Sequence, residues 1–132
     1  MIKHLIHSSI DDESKPYWEG LKEGKLLIQY CGDCCTSIFY PRSICPKCFS
    51  EKIIWKESSG TGKIYSYTVV HQAFGPFSNE TPFVVGIVEL NEGVRMMTRI
   101  LGKREKLAID KRVSVVFTRV EDDLVLPYFQ VI

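Results

Sequence analysis

All five cysteines of this 132-residue chain lie between residues 31 and 48. Four of them form two C-x-x-C turns, one from Cys31 to Cys34 and one from Cys45 to Cys48. Each turn of this kind aims two thiolates into one small volume, and four thiolates suit a tetrahedral zinc ion. We therefore predict a zinc site formed by these four cysteines.

Two other uses of the cysteines compete with zinc. Disulfides are disfavoured because no export signal is recognisable, and a reducing cytosol keeps thiols free. Iron bound as in rubredoxin uses similar turns and would imply electron transfer, although nothing else in the sequence indicates a redox partner. We favour zinc in a structural role over iron or a catalytic metal, because four thiolates leave no open coordination position for a substrate.

Cys35 directly follows the first pair of cysteines. Zinc-binding turns commonly carry glycine there, because the turn favours positive φ and a backbone N–H that points at the thiolate. The residue is either a small filler of the turn or a thiol whose pKa the metal lowers. We assign it no catalytic role, because no neighbouring histidine accompanies it to serve as a base.

Short β-prone runs must hold the cysteine turns, and they occupy residues 26–30, 38–40 and 53–55. They predict a ribbon of two or three strands. So small a segment buries too little apolar surface to fold alone, so the metal must supply folding energy, on the order of 10 kcal/mol.

Residues 58–132 have β character throughout, with turn residues between runs of alternating polarity. The five predicted strands span residues 63–71, 83–90, 94–101, 113–119 and 125–131. Asn91-Glu92-Gly93 predicts a three-residue hairpin, Gly86 a bulge or a close backbone approach, and Pro127 an edge or a barrel seam. Five strands with an irregular stretch before the fourth favour a small OB-fold barrel over an SH3-like barrel or a sandwich.

A short helix is predicted over residues 15–24, because Pro16 lies near its start and Gly24 at its end. Trp18 and Leu21 are three residues apart and share an apolar face. The fold class is therefore mainly β, with an N-terminal short helix, a four-cysteine zinc ribbon and a C-terminal five-stranded OB-fold barrel. The predicted domains are an arm and helix over 1–25, the ribbon over 26–57 and the OB-fold domain over 58–132.

Charge and hydropathy exclude several function classes. The 17 basic and 16 acidic residues give a net charge of +1, which argues against strong non-specific binding to nucleic acid. No apolar run is long enough to cross a membrane or to form a signal peptide, so we expect a cytoplasmic protein without a membrane partner. The histidines form no recognisable dyad with Asp or Ser, so we expect no catalytic residue and no enzyme.

The motifs taken together resemble a known family. They are Tyr17–Leu26, Pro41-Arg42 before the second cysteine pair, Gly60–His71, Pro82–Val85 and Glu92–Arg95. This combination is similar to the rubredoxin-like zinc ribbon plus OB-fold family associated with acyl-CoA, from which Cys35 departs in replacing the usual glycine. Members accompany thiolases or thiolase-like condensing enzymes, and sometimes hydratase- or aldolase-type partners. The resemblance implies a non-catalytic accessory subunit that binds or bridges a thiolase-like enzyme and helps to complete a CoA-thioester site, with acyl-CoA as a ligand.

Two groups of side chains are candidates for binding. Basic residues between the third and fourth barrel strands could meet the phosphates of coenzyme A, or could simply be solvated; they are Lys103, Arg104 and Lys106. Partner or ligand contacts could come from an aromatic helix face and from the loop after the first barrel strand, or these side chains could only cap the core; they are Trp18, His71 and Phe74.

The alternative function is that of a module binding single-stranded nucleic acid. Zinc ribbons and OB folds both often bind single strands by aromatic stacking beside a basic groove. Residues 1–57 carry 8 basic and 8 acidic side chains, and residues 58–132 carry 9 and 8. Neither half has the basic excess of a polyanion binder, which makes nucleic acid the less favoured partner.

Overall fold

The computed structural model of the protein describes residues 12–74, 77–121 and 124–132, so the predicted N-terminal arm lies largely outside it. The described residues form one α-helix and eight strands, and the mainly β class is confirmed. The elements are α1 Lys15–Lys22, β1 Leu27–Cys31, β2 Ser37–Ile38, β3 Ile53–Glu57, β4 Thr61–Val70, β5 Phe83–Leu90, β6 Arg95–Leu101, a 3-10 turn Arg104–Lys106, β7 Arg112–Glu121 and β8 Leu124–Val131. Within the described residues no helix is long and apolar enough to cross a membrane.

The ribbon is a three-stranded antiparallel sheet in the order β2-β1-β3. Gln29 in the central strand lies opposite Ile38 on one side and Trp55 on the other. The first cysteine turn connects β1 to β2, and the second lies in the longer connection from β2 to β3. This arrangement brings both turns to one end of the sheet.

The barrel is closed, in the order β4-β5-β6-β8-β7, with β7 returning to β4. This is the strand order of an OB fold, so the predicted barrel type is confirmed. Only the β6–β8 junction is parallel among the described pairings, and it consists of Ile100 opposite Phe129 and Leu101 opposite Gln130. The barrel therefore closes through a short seam.

Two of the predicted glycine roles are confirmed. Gly93 has a φ of 93°, and Leu90 N–H donates to Val94 O at 2.8 Å to close the three-residue hairpin. At Gly86 a Cβ atom would lie 2.7 Å from the carbonyl oxygen of Ser66, so the neighbouring backbone leaves no room for a side chain. Glycine at this position is thus explained by close approach.

One apolar core joins the three parts of the chain. It includes Leu21 of the helix, Ile28 of the ribbon, and Ile64 and Phe129 of the barrel, each at most 1% exposed. Full burial of such a side chain stabilises a fold by about 1.5–3 kcal/mol. The ribbon is therefore packed against the barrel and does not hang from it.

A carboxylate fixes the link between ribbon and barrel. Glu92, in the β5–β6 hairpin, accepts hydrogen bonds from the Ser58 hydroxyl and from the Ser59 N–H, both at 2.8 Å. Ser58 N–H in turn donates to Leu26 O at 2.8 Å. Partial burial raises the pKa of Glu92, but the bonds from Ser59 and Ser58 outweigh it and hold the pKa below its ordinary value.

This clamp predicts an acid-dependent loss of stability. Because the folded state lowers the pKa of Glu92, its stabilisation is present above the ordinary carboxyl pKa and is lost as pH falls through the lowered one. We expect Glu92→Gln to lower the unfolding temperature at pH 7, and we expect the difference from wild type to vanish in acid. Circular dichroism melts from pH 7 to pH 3 measure this, with the exposed Glu105→Gln as the control. An equal difference at both pH values would contradict it.

Candidate functional site: a metal centre and an aromatic groove

The structure brings the four predicted ligands together. Their sulfur atoms all lie within 4.8 Å of one another. The Sγ atoms of Cys31 and Cys48 are 3.5 Å apart, and those of Cys34 and Cys45 are 3.6 Å apart. Tetrahedral zinc with Zn–S bonds of about 2.3 Å requires sulfurs about 3.8 Å apart. The chain's own residues therefore fit a closed tetrathiolate metal ion.

Backbone N–H groups and one hydroxyl lie beside three of the four sulfur atoms. The N–H of Cys34 donates to the sulfur of Cys31, and the N–H of Lys47 donates to the sulfur of Cys45, both at 3.4 Å. Thr36 Oγ1 lies 3.1 Å from the sulfur of Cys34, and this contact is the main reason that the pKa of Cys34 is lowered to about 6. The N–H of Cys34 likewise lowers the pKa of Cys31. At Cys48 the Ser50 N–H favours the thiolate, but burial and the three neighbouring sulfurs outweigh it and raise the pKa, so a metal ion would displace a proton there.

Both metal-binding turns end in a left-handed residue. Cys35 has a φ of 64° and Phe49 a φ of 63°, each directly after the second cysteine of its turn. Their N–H groups donate to the carbonyls of Cys31 and Cys45 at 3.0 and 2.9 Å. A left-handed conformation costs a residue with a side chain about 1–2 kcal/mol. The expected positive φ at Cys35 is confirmed, and Phe49 shares it.

Removal of one ligand should release the metal and unfold the ribbon. We expect Cys45→Ser to lose about one zinc ion per chain and the ordered ribbon with it, because the buried ligand has no substitute. Cys35→Gly is the matched control, since glycine suits the positive φ and the four ligands remain. Elemental analysis and amide NMR spectra report both properties. A ribbon that stays folded after chelation would refute the structural role of the metal.

A groove of about 590 Å³ lies beside the ribbon, between α1, the loop after β2 and one face of the barrel. Its volume is in the range of small-molecule sites. The barrel contributes the outer face of β5 and β6, where OB folds usually bind ligands, together with β8. The residues lining the groove are mostly aromatic or aliphatic: Ser14, Tyr17, Trp18, Phe39, Tyr40, Pro41, Phe77, Phe83, Val85, Met96, Met97, Thr98, Arg99, Leu126, Pro127 and Tyr128.

Edge-to-face aromatic contacts connect the helix to the ribbon at this groove. The Tyr17 ring lies 5.2 Å from Trp18 and 5.7 Å from Phe39, and Phe39 lies 5.0 Å from Tyr40. Such pairs stabilise by about 0.5–1.5 kcal/mol beyond their burial. Burial of Tyr17 raises the pKa of its hydroxyl, so the ring stays neutral. The chain of rings fixes one wall of the groove.

A buried glutamine holds the loop that carries part of this wall. Gln29 is 3% exposed. Its Oε1 accepts the Arg42 N–H at 2.8 Å and its Nε2 donates to the Arg42 carbonyl at 3.0 Å. The side-chain amide thus imitates a strand neighbour, and it positions Tyr40 and Pro41 at the edge of the groove.

Arg99 is the single cation among the described residues that line the groove. Its guanidinium group lies 4.5 Å from the Phe83 ring centre and 5.5 Å from that of Tyr128, and it pairs with the carboxylate of Glu80. Stacking on aromatic faces is a favoured environment for arginine. Nothing in the local sequence around Arg99 or Glu80 predicts this arrangement.

The candidate binding residues are dispersed. Trp18 lines the groove, as expected if the aromatic face of the helix contacts a ligand. His71 and Phe74 are exposed at the start of the β4–β5 loop and do not line it, whereas Phe77 of the same loop does. The basic residues are exposed in and beside the 3-10 turn, and none lines the groove; they are Lys103, Arg104 and Lys106.

Loss of the buried amide should weaken the groove wall. Gln29→Leu leaves the N–H and the carbonyl of Arg42 without their partner, which costs about 1–3 kcal/mol of unfolding free energy. The exposed Gln72→Leu serves as the control and should cost much less. Urea unfolding followed by fluorescence measures both values. Equal stability of the two variants would show that the amide does not hold the loop.

Family models match both parts of the chain. One for the ChsH2 rubredoxin-like zinc ribbon domain matches residues 18–53, and one for the ChsH2 C-terminal OB-fold domain matches residues 55–118. A solved structure described as the Ltp2-ChsH2(DUF35) aldolase superposes with a TM-score of 0.84 at 35% identity, covering 93% of this chain and 97% of that one.

Several named protein sequences are also similar to this chain. A DUF35 domain-containing scaffold protein of Methanocaldococcus jannaschii is 39% identical, over 92% of this chain and 86% of its own length. A probable enoyl-CoA hydratase alpha subunit of Thermomonospora curvata is 35% identical over 92% of this chain, which spans only 38% of that protein. The benzoylsuccinyl-CoA thiolase subunit BbsA of Thauera aromatica is 26% identical, over 85% of this chain and 71% of its length.

Proposed function

Since this chain belongs to the family of DUF35 domain-containing proteins, we propose that it is an accessory subunit that binds a thiolase-like acyl-CoA enzyme and helps to complete its CoA-thioester site. Relatives that are named as a scaffold protein, a thiolase subunit and part of an aldolase support this role. The observation that carries the proposal is the aromatic groove on the ligand face of the OB barrel.

The groove suits the apolar part of an acyl-CoA. Its walls are rings and aliphatic side chains, so burial of a thioester's acyl or pantetheine portion would release ordered water from both surfaces. The exposed cations in and beside the 3-10 turn would then bind the pyrophosphate and the 3′-phosphate of coenzyme A. Arginine can donate two hydrogen bonds to one phosphate, whereas lysine acts as a point charge. These cations are Lys103, Arg104 and Lys106.

The chemistry itself would belong to the partner enzyme. Zinc, when bound, cross-links the ribbon, and its four thiolates leave no position for a substrate. The part of the groove lining that the structure describes contains no pair of nucleophile and base, and the exposed His71 lies outside it. The chain's own residues would therefore bind and orient a thioester, and we place this function in the cytoplasm.

A partner would contact the exposed end of the β4–β5 loop. Phe74 is 86% exposed, which is an unusually open position for a large aromatic side chain. His71 lies three residues earlier on the same exposed segment. Aromatic side chains of this kind are enriched at the centres of protein interfaces, where their burial dominates affinity.

The nucleic-acid alternative receives little support from the groove. Single strands are held by several cations along the backbone together with stacking rings. The described lining of the groove supplies the rings but only one cation, Arg99, which Glu80 already neutralises.

Partner capture tests the proposed function. We expect the tagged chain to co-purify from native cytosol with a thiolase-like enzyme identified by mass spectrometry, and to show no turnover of acyl-CoA by itself. Phe74→Ser should reduce the recovered enzyme about tenfold, as loss of an interface hot spot does. Phe49→Asn is the control, because it removes another exposed ring and asparagine tolerates the left-handed turn. Thiolysis or hydrolysis by the pure chain, or micromolar binding of oligonucleotides instead of an enzyme, would overturn the proposal.

A further inference from the structure

Arg99 occupies a costly position for a cation. Its side chain is 20% exposed and lies among the apolar residues of the groove. A guanidinium group so far removed from water needs an anion beside it, because unpaired burial of charge costs far more than a hydrogen bond contributes. Glu80 supplies that anion in the structure. The pair therefore marks a place in the groove where a carboxylate is stable.

The guanidinium group is held in place independently of Glu80. Arg99 lies in β6, and its backbone is in register with Val85 of β5. Phe83 and Tyr128 lie within 4.5 and 5.5 Å of its charged carbon, so the planar group is confined by rings. A cation fixed by a strand and two rings is preorganised for any carboxylate that reaches it.

Glu80 is the more exposed member of the pair. It lies in the connection between β4 and β5, where its N–H closes a turn onto the carbonyl of Phe77 at 3.0 Å. Its side chain is 32% exposed, against 20% for Arg99. Release of this carboxylate to solvent restores its hydration, and the exchange of Glu80 for another carboxylate conserves the charge beside Arg99.

We propose that Arg99 is the anion-recognition residue of the groove, that Glu80 is its built-in competitor, and that the groove accepts an apolar group bearing one carboxylate. This inference deepens the proposed function, because it assigns a class of acyl group to the same groove. A neutral carbonyl could not displace Glu80 without leaving charge unbalanced. A phosphate would bring a second negative charge, and among the described lining residues Arg99 alone carries a positive charge to neutralise it.

Calorimetric titration of the isolated full-length chain tests the proposal with a matched pair of probes. The probes are 4-phenylbutyrate and its neutral amide, 4-phenylbutyramide, which share one shape and differ in charge. We expect the acid to bind wild type at least tenfold more tightly than the amide. Arg99→Gln should bring the acid down to the affinity of the amide while leaving amide binding unchanged.

The competitor is tested by a second variant. Glu80→Gln should tighten binding of the acid about tenfold without affecting the amide, and Glu105→Gln, at an exposed site outside the groove, should change neither. This measurement stands even if Arg99→Gln fails to fold. Equal binding of acid and amide to wild type, binding of neither, or weaker acid binding in Glu80→Gln would overturn the inference.

The two proposals can fail separately. If the thiolase-like enzyme co-purifies but acid and amide bind alike, the accessory role stands and the carboxylate assignment is wrong. If acid and amide are distinguished but no such enzyme is recovered, the ligand class stands and the proposed function is wrong.

Discussion

Four cysteine sulfur atoms converge on one point, and this convergence constrains the paths of the connections between the ribbon strands. The small core around the cysteine turns contains only Cys31, Ile38 and Cys45 as fully buried residues among those described. That apolar area cannot order two long connections unaided. The same connections continue into Phe39 and Pro41, which form a wall of the groove. The metal centre does not itself contact the groove. It orders the connections that supply one of the groove walls.

The barrel, the helix and the ribbon each form part of the groove, and none of them forms it alone. The barrel offers an apolar outer face on β5 and β6, the helix adds Trp18, and the ribbon adds its loop through the amide of Gln29. An open OB face would suit a long polymer that slides across it. In this protein the helix and the ribbon cover part of that face, so only a bounded groove remains. Such a groove favours a small ligand or one end of a larger ligand.

Sequence reasoning succeeds where the signal is local. The cysteine spacing identifies the ligand set, and the irregular stretch before β7 identifies the barrel type. Short β-prone runs predict two or three ribbon strands where three are found, and alternating polarity locates the five barrel strands. The position after each C-x-x-C turn also indicates a left-handed residue, and this signal would have found Phe49 as it found Cys35. The domain limits at residues 25 and 57, and the roles of His71 and Phe74, stay predictions.

The groove could not be predicted in the same way, because its parts are distant along the chain. Arg99 meets Glu80 only after β5 and β6 pair in register and the β4–β5 connection folds back. Gln29 looks like an ordinary polar residue in an alternating strand, and its buried amide matters only because the loop at Arg42 returns to it. Such contacts depend on tertiary geometry, which no spacing of residue types encodes.

The short seam between β6 and β8 gives the barrel an unusual property. Beyond its two residue pairs, closure relies on the Thr98 hydroxyl, which donates to the carbonyl of Pro127 at 2.7 Å. Pro127 has no N–H with which to extend the ladder. Both residues also line the groove. The residues that close the barrel are therefore also residues of the groove wall, so a ligand that fills the groove contacts the seam directly.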